Sequence, residues 1–382
     1  MTASGPGNRR IAAIDFWRGL VLIVIFINHI PGNIVDRLTP RNFGFSDSTE
    51  AFVFIAGLSV ALAWGRFTAR GDTASVVDRA WRRTSLLYMV HLLLTFTAIA
   101  LYANAFVLTG NESFLLDHGR DVIFEEPATA LLGIVFLGHQ LGYYNILPLY
   151  ILLVFLSPFI LFAVWRAPLI SLAVSVAIYI VAQLPQVNLP SWPLPGLWAF
   201  NPFAWQFAFV AGMVIGVLWK RDKLSLPASR PLMIVSTVLV AFGAIVATDA
   251  FGFAPGLFAA VYGLGGFDKT DMSVMRFMHF LALAYLVTQL RVGEQMLRFQ
   301  WGRSLALIGR HGLAVFALGS VLSSAGQIYT ALTEGTRLAS GTITGLVVVP
   351  AGIMCLYWFA RFLESRSSRA TATATVTTQT AT

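Results

Sequence analysis

The chain has 382 residues, 57% of them hydrophobic and only 12% charged, with a formal net charge of +8. A water-soluble domain of this size needs far more polar surface to cover its core, so that class is excluded. Apolar stretches of membrane-crossing length recur along the chain, and in hydrocarbon each must pair its own backbone groups, which favours helices over an alternating β-barrel pattern. The expected fold is all-α, a polytopic membrane bundle.

In chain order, residues 1–15 form a short N-terminal segment. Arg9 and Arg10 ahead of an apolar run resemble a signal peptide, but Arg18 interrupts the run and no small-x-small site follows. The segment reads as a retained first helix. About ten spans are expected: Phe16–Ile34, Thr49–Gly65, Thr84–Asn104, Tyr143–Trp165, Pro168–Leu184, Phe203–Trp219, Leu232–Phe251, Val274–Leu290, Gly312–Leu332 and Gly341–Leu363. The run Pro127–Gly138 is too short to span and suits an interfacial or re-entrant piece. Residues 16–364 then make one transmembrane domain. The Thr/Ala-rich stretch 365–382 has nothing to bury and is expected to be disordered.

The positive charges test this count. With the N-terminus inside, the inner loops hold 19 of the 26 Lys and Arg residues, and the outer side holds only Arg37, Arg41, Arg120, Lys269 and Arg337. Adding or removing one span scrambles the asymmetry, so both termini are expected on the cytoplasmic side. The same placement in short loops argues against nucleic acid as a partner. The single cysteine, Cys355, permits no intramolecular disulfide and no cysteine-built metal site, and no metal is expected.

Ionisable residues inside spans are costly and mark function by default. Arg18 and His29 lie 11 residues apart in the first helix, on one face and about 16 Å apart along the axis. Arg18 falls near the cytoplasmic end and His29 in the outer half. The plainer alternative makes Arg18 an interfacial anchor and His29 a packing residue. Asp47 and Glu50 open the second helix at its outer end, where either carboxylate is a candidate to fix the tautomer of His29 as a general base. Asn28, Tyr150, Asn201, Trp205, Gln206, Asp268, Lys269, Arg276 and His279 gather at similar depth, suggesting one polar cavity. Taken singly, each also suits a cap or a snorkelling side chain. His91, His118 and His139 lack such company and read as structural.

These residues resemble a known family. The pair Arg18 and His29 matches the Arg-x10-His signature of the membrane-bound acyltransferase-three superfamily. The runs Asp15-Phe-Trp-Arg-Gly19, Asn28-His-Ile-Pro-Gly-Asn33, Arg41-Asn-Phe-Gly-Phe-Ser-Asp47 and Glu50-Ala-Phe-Val-Phe54 are similar to the start of OpgC-type proteins, the succinyltransferases of osmoregulated periplasmic glucans. Further matches fall at Leu147–Tyr150, Asn201–Gln206, Leu264–Thr270, Arg276–Tyr285 and Gly309–Gly312.

The resemblance implies transfer of an acyl group, succinyl in the named members, from cytoplasmic acyl-CoA to a hydroxyl of a periplasmic glucan or related glycan. It also implies a multi-pass location in the bacterial inner membrane. Acyl-CoA is then a donor substrate, and no tightly bound cofactor is expected. In that setting His29 is the candidate base, oriented by Asp47 or Glu50, and Asn28, Lys269 or Arg276 is a candidate oxyanion donor. Arg18 and Arg310 are candidates for the CoA phosphates, and Arg41, Lys269 and Arg276 for an acyl carboxylate. The competing reading is a transporter or flippase using the same cavity without chemistry; no paired repeat of the transporter kind is evident.

Overall fold

The structure is a computed structural model that describes residues 6–221, 228–248, 254–333 and 341–380, with side chains described for 12–221, 228–248, 256–333 and 341–367. Arg9, Arg10, Lys223, Arg337 and Arg369 of the charge pattern lie outside the described side chains, and residues 249–251 of the seventh expected span lie outside the described residues. The longer helices are α1 (Pro6–Asn28), α2 (Ser48–Ala69), α3 (Thr73–Thr109), α4 (Pro127–Val135), α5 (Ile146–Arg166), α6 (Pro168–Ala182) and α7 (Pro202–Lys220). They continue with α8 (Arg230–Thr248), α9 (Ala254–Gly263), α10 (Val274–Gln289), α11 (Gln300–Arg310), α12 (Gly312–Leu332) and α13 (Val349–Thr380). No strand occurs among the described residues.

Seven helical segments among the described residues are long and apolar enough to cross a membrane: α2, α3, α5, α7, α8, α12 and Gly341–Ser367, which runs into α13. The three other segments expected to span correspond to α1 and to the shorter apolar helices α6 and α10. α4 coincides with the run too short to span. α13 carries helical backbone through most of the stretch expected to be disordered, with side chains beyond 367 outside the described residues.

Helix ends follow local chemistry. Asp47 caps α2 and Asp72 caps α3, each accepting a backbone N–H, and Gly110 closes α3 at φ 69°. α1 stops at Asn28, short of the expected Ile34. Pro31 disfavours helix at the residue before it, and Gly32 turns the chain at φ 78°. The Asn33 amide then donates to the carbonyls of Ile27 and Ile30, satisfying the helix end that the turn exposes. α3 begins at Thr73 rather than Thr84 because a helix need not end where its apolar run does; its polar first turns carry an Asp78–Arg82 pair at 2.9 Å.

The chain divides into two compact units, residues 1–38 with 290–382 and residues 39–289. In the first, α1 packs on α11 and α12, and α13 covers both of those. Gly19 and Gly309 allow the α1–α11 approach, since a Cβ on either would fall on a carbonyl of the facing helix. In the second, α7 is the hub, packed on α2, α5 and α6, while α3 lies on α5 and α8 on α10. At the α2–α7 crossing a Cβ on Gly57 would fall on the Phe209 carbonyl, and one on Gly212 on that of Phe54. Gly57→Val is therefore expected to cost about 1–3 kcal/mol. Gly256→Ala, with open space around it, should cost nothing, and thermal unfolding in detergent compares the two variants.

Candidate functional site

The start of α2 builds the centre of the second unit. Glu50 accepts the Asp47 N–H at 2.9 Å while Asp47 accepts the Thr49 N–H at 2.6 Å, a capping box that fixes both carboxylates. Their outer oxygens meet two cations. Arg276 of α10 contacts Glu50 Oε1 through Nη2 at 2.6 Å and Nε at 2.7 Å, and approaches Asp47 Oδ2 at 3.3 Å. Lys269 Nζ donates to the same Asp47 oxygen at 2.7 Å. Glu50 is 0% exposed, so its charge is tenable only because Arg276 answers it with two contacts. Burial works to raise the Asp47 carboxyl, but Lys269 and Arg276 outweigh it and hold it well below the usual carboxylate range.

Lys269 sits on the loop between α9 and α10, which is bonded to several elements. Trp205 Nε1 donates to the carbonyls of Lys269 and Thr270, each at 3.1 Å, and Asn201 N–H donates to Thr270 O at 3.0 Å. Tyr179 donates to Met272 O at 2.7 Å and Gln183 to Asp271 O at 2.9 Å. Asp268 accepts from the Thr270 and Asp271 N–H groups, and Ser273 donates to Gly266 O. Burial raises the Asp271 carboxyl, although a 2.7 Å hydrogen bond from Asn201 opposes the shift.

One turn along α10, His279 Nδ1 lies 2.7 Å from Ser46 Oγ, directly before the α2 cap. Its Nε2 is buried without a hydrogen-bond partner among the described residues, against Gly44 and Gly243.

In the first unit, His29 is the residue immediately after α1, its N–H bonded to Ile25 O at 3.0 Å and its carbonyl accepting from Gln327 of α12 at 2.6 Å. A crevice between α1 and α12 is lined by Leu22, Ile25, Phe26 and His29 on one side and by Phe316 and Ser320 on the other. The Asn28 Oδ1 beside it is buried without a hydrogen-bond partner among the described residues. Eleven residues earlier, Arg18 binds Asp15 at 2.6 Å and Gly309 O at 3.2 Å. Arg310 follows that carbonyl in sequence and pairs with Glu364 at 3.0 Å, which His311 also contacts at 2.8 Å.

The expected residues thus fall into two groups. Arg18, Asn28, His29 and Arg310 belong to the first unit, and Asp47, Glu50, Lys269, Arg276 and His279 converge in the second. One of the two carboxylates was expected to orient His29; both are engaged by Lys269 and Arg276. Asn201 is fully buried as the cap of α7, bonded to Val187 O and Asp271. Gln206 ties α7 to α6 through Ser175, with its amide donating at 2.9 Å and accepting at 2.7 Å. Tyr150 stacks edge-on with Phe52 at 5.7 Å, and Arg41 stands on the exposed turn Pro40–Asn42. Gln327 carries no sequence signal, whereas Ser46 and Asn33 lie in family-like motifs whose roles only the tertiary contacts reveal.

Chemically, the second unit offers fixed cations for an anionic group, and the first offers an imidazole beside a crevice, with cations at the other end of its helix. No group of three or more His, Cys, Asp or Glu suited to a metal ion occurs among the described residues. Residues 10–368 match the family model described as OpgC protein. No curated protein and no solved structure matches the chain.

Proposed function

Because the chain belongs to the OpgC family, we propose that it is a transmembrane O-acyltransferase that moves a succinyl group from cytoplasmic acyl-CoA to a hydroxyl of a periplasmic glucan or related glycan. The observation that carries this reading is the family match over residues 10–368, nearly the whole chain. The proposal includes ten spans, both termini in the cytoplasm and location in the inner membrane of a bacterium, supported by the 19-to-5 distribution of positive charge.

His29 is the general base of the proposed reaction. A sugar hydroxyl is a weak nucleophile at neutral pH, so its proton must leave as its oxygen attacks the thioester carbonyl. His29 takes that proton, the C–S bond breaks, and CoA departs as a thiolate that recovers a proton as free thiol. The Asn28 amide is a donor for the developing oxyanion. Arg18 and Arg310 bind the CoA phosphates. Asp47 and Glu50 act in this scheme as the anions that fix Lys269 and Arg276.

Sealed proteoliposomes test direction and chemistry together. Acyl-CoA is supplied at the face exposing the termini and glucan is enclosed in the lumen. Release of free CoA thiol that requires lumenal glucan, with succinyl esters recovered on the glucan, is the expected result. Glycan movement across the bilayer with no CoA release from any donor overturns the reading in favour of transport.

A further inference from the structure

At the end of α2 opposite its acidic cap, two arginines share one aromatic ring. Arg66, in the last turn of α2, places its guanidinium carbon 4.6 Å from the centre of the Phe67 ring. Arg79, from the second turn of α3, stands 4.2 Å from the same centre. The two guanidiniums are thus no farther apart than those distances added, close enough for one phosphate to meet both. Neither has a hydrogen bond or a salt bridge among the described residues. The carboxylates near them in sequence are engaged elsewhere, Asp72 by Ser75 at the α3 cap and Asp78 by Arg82, and Asp72 meets Arg79 only at longer range. The ring face answers part of each charge and leaves their mutual repulsion in place, which an anion between them removes.

Setting topology asks only for positive charge in a loop, as the exposed Arg82 supplies. It does not ask for two guanidiniums on one ring. Beyond Arg79, moreover, the same face of α3 turns apolar. Leu86 and Leu93 follow at seven-residue steps of about 10 Å each along the axis. They stand 49% and 65% exposed, whereas Ala80, Leu87 and Leu94, one position on, are buried. A cation pair heading an exposed apolar stripe, on a helix long enough to cross a membrane, fits a lipid better than a free phosphate, which has no use for the stripe.

We infer that Arg66, Arg79 and Phe67 bind the phosphate of an anionic phospholipid, whose chains lie along Leu86 and Leu93. The site belongs wholly to the second unit and stands apart from the acyltransferase reading.

Native mass spectrometry of the full chain in detergent, titrated with phosphatidylglycerol or phosphatidylcholine, tests the site. The expected result is tighter first binding of phosphatidylglycerol, weakened about fivefold for each charge removed and on the order of 30-fold by Arg66→Gln with Arg79→Gln. Arg66→Lys with Arg79→Lys keeps both charges and should still lose most of the preference, because an ammonium neither forks onto a phosphate nor lies flat on a ring. Arg82→Gln should bind both lipids as the parent does. Phe67→Leu, which alters no charge, should lose part of the preference and reads it should an arginine variant fail to fold. Equal binding of the two lipids by the parent, or full preference kept by the lysine pair, overturns the inference and leaves the arginines to topology. Binding of inorganic phosphate that disappears in the glutamine pair, without preference between the lipids, overturns it in favour of a soluble phosphate.

Discussion

Replacing Arg276 by alanine is expected to destabilise the protein by about 3–5 kcal/mol. The loss comes mainly from what remains. Glu50 is fully buried, and two of its contacts, at 2.6 and 2.7 Å, go with the guanidinium. Its other oxygen still accepts the Asp47 N–H, and Asp47 keeps Lys269, so the uncompensated charge is Glu50 itself. Arg276→Lys should recover only part of the loss, because a point charge cannot reproduce both contacts. The paired replacement Glu50→Leu with Arg276→Leu should cost less than either single change, since it leaves no charge stranded. Thermal unfolding in detergent, followed by the fraction of monodisperse protein, measures all five variants. A single Arg276→Ala loss below about 1 kcal/mol, the range of an exposed pair, would contradict the buried-pair account.

The second large effect is on chemistry rather than stability. His29→Ala is expected to lower acyl transfer by about 100- to 10,000-fold, the range for loss of a general base. Folding should hardly change. Two of the bonds at this position use the His29 backbone, its N–H to Ile25 and its carbonyl to Gln327, and alanine keeps both. The amide of Asn33 likewise holds the α1 end through the carbonyls of Ile27 and Ile30. Glucan-dependent CoA release by the two proteins, reconstituted at equal folded concentration, reads the difference. Full transfer by the variant would remove His29 from the base role.

Much of the fold is legible in the sequence because the bilayer makes apolar length informative. Gly312–Leu332 is both the expected apolar run and the observed helix. Proline and capping residues set other ends, as at Pro168 and Asn201. The misjudged ends have local causes. The apolar residues Ile30 and Ile34 extend the pattern of α1 past a turn that Pro31 and Gly32 impose, and the polar start of α3 hides a continuous helix. α11 was invisible to an apolar-length criterion because it is amphipathic and carries three arginines or glutamines among its eleven residues.

The site was legible by residue type and not by partnership. Asp47, Glu50, Lys269, Arg276 and His279 stand out as ionisable groups at apolar helix ends. The Asp47–Lys269 bond, however, joins positions 222 residues apart, a pairing that no local pattern encodes. Gln206 illustrates the opposite error. A glutamine one turn into an apolar helix looks like a cavity residue, yet both ends of its amide are used on Ser175. Whether a polar group serves a ligand or a neighbouring helix depends on that tertiary accounting.

The opening of α2 also limits how the sequence can drift. A Ser-x-x-Gln start would begin the helix as well as Asp47 and Glu50 do, since the capping box needs only the acceptors. That exchange would be silent for the helix and ruinous for the charge cluster, because two cations would lose both anions at once. Substitutions that a helix designer would treat as interchangeable are therefore closed here. The cap can be rewritten only together with Lys269 and Arg276, so four distant positions behave as a single heritable character.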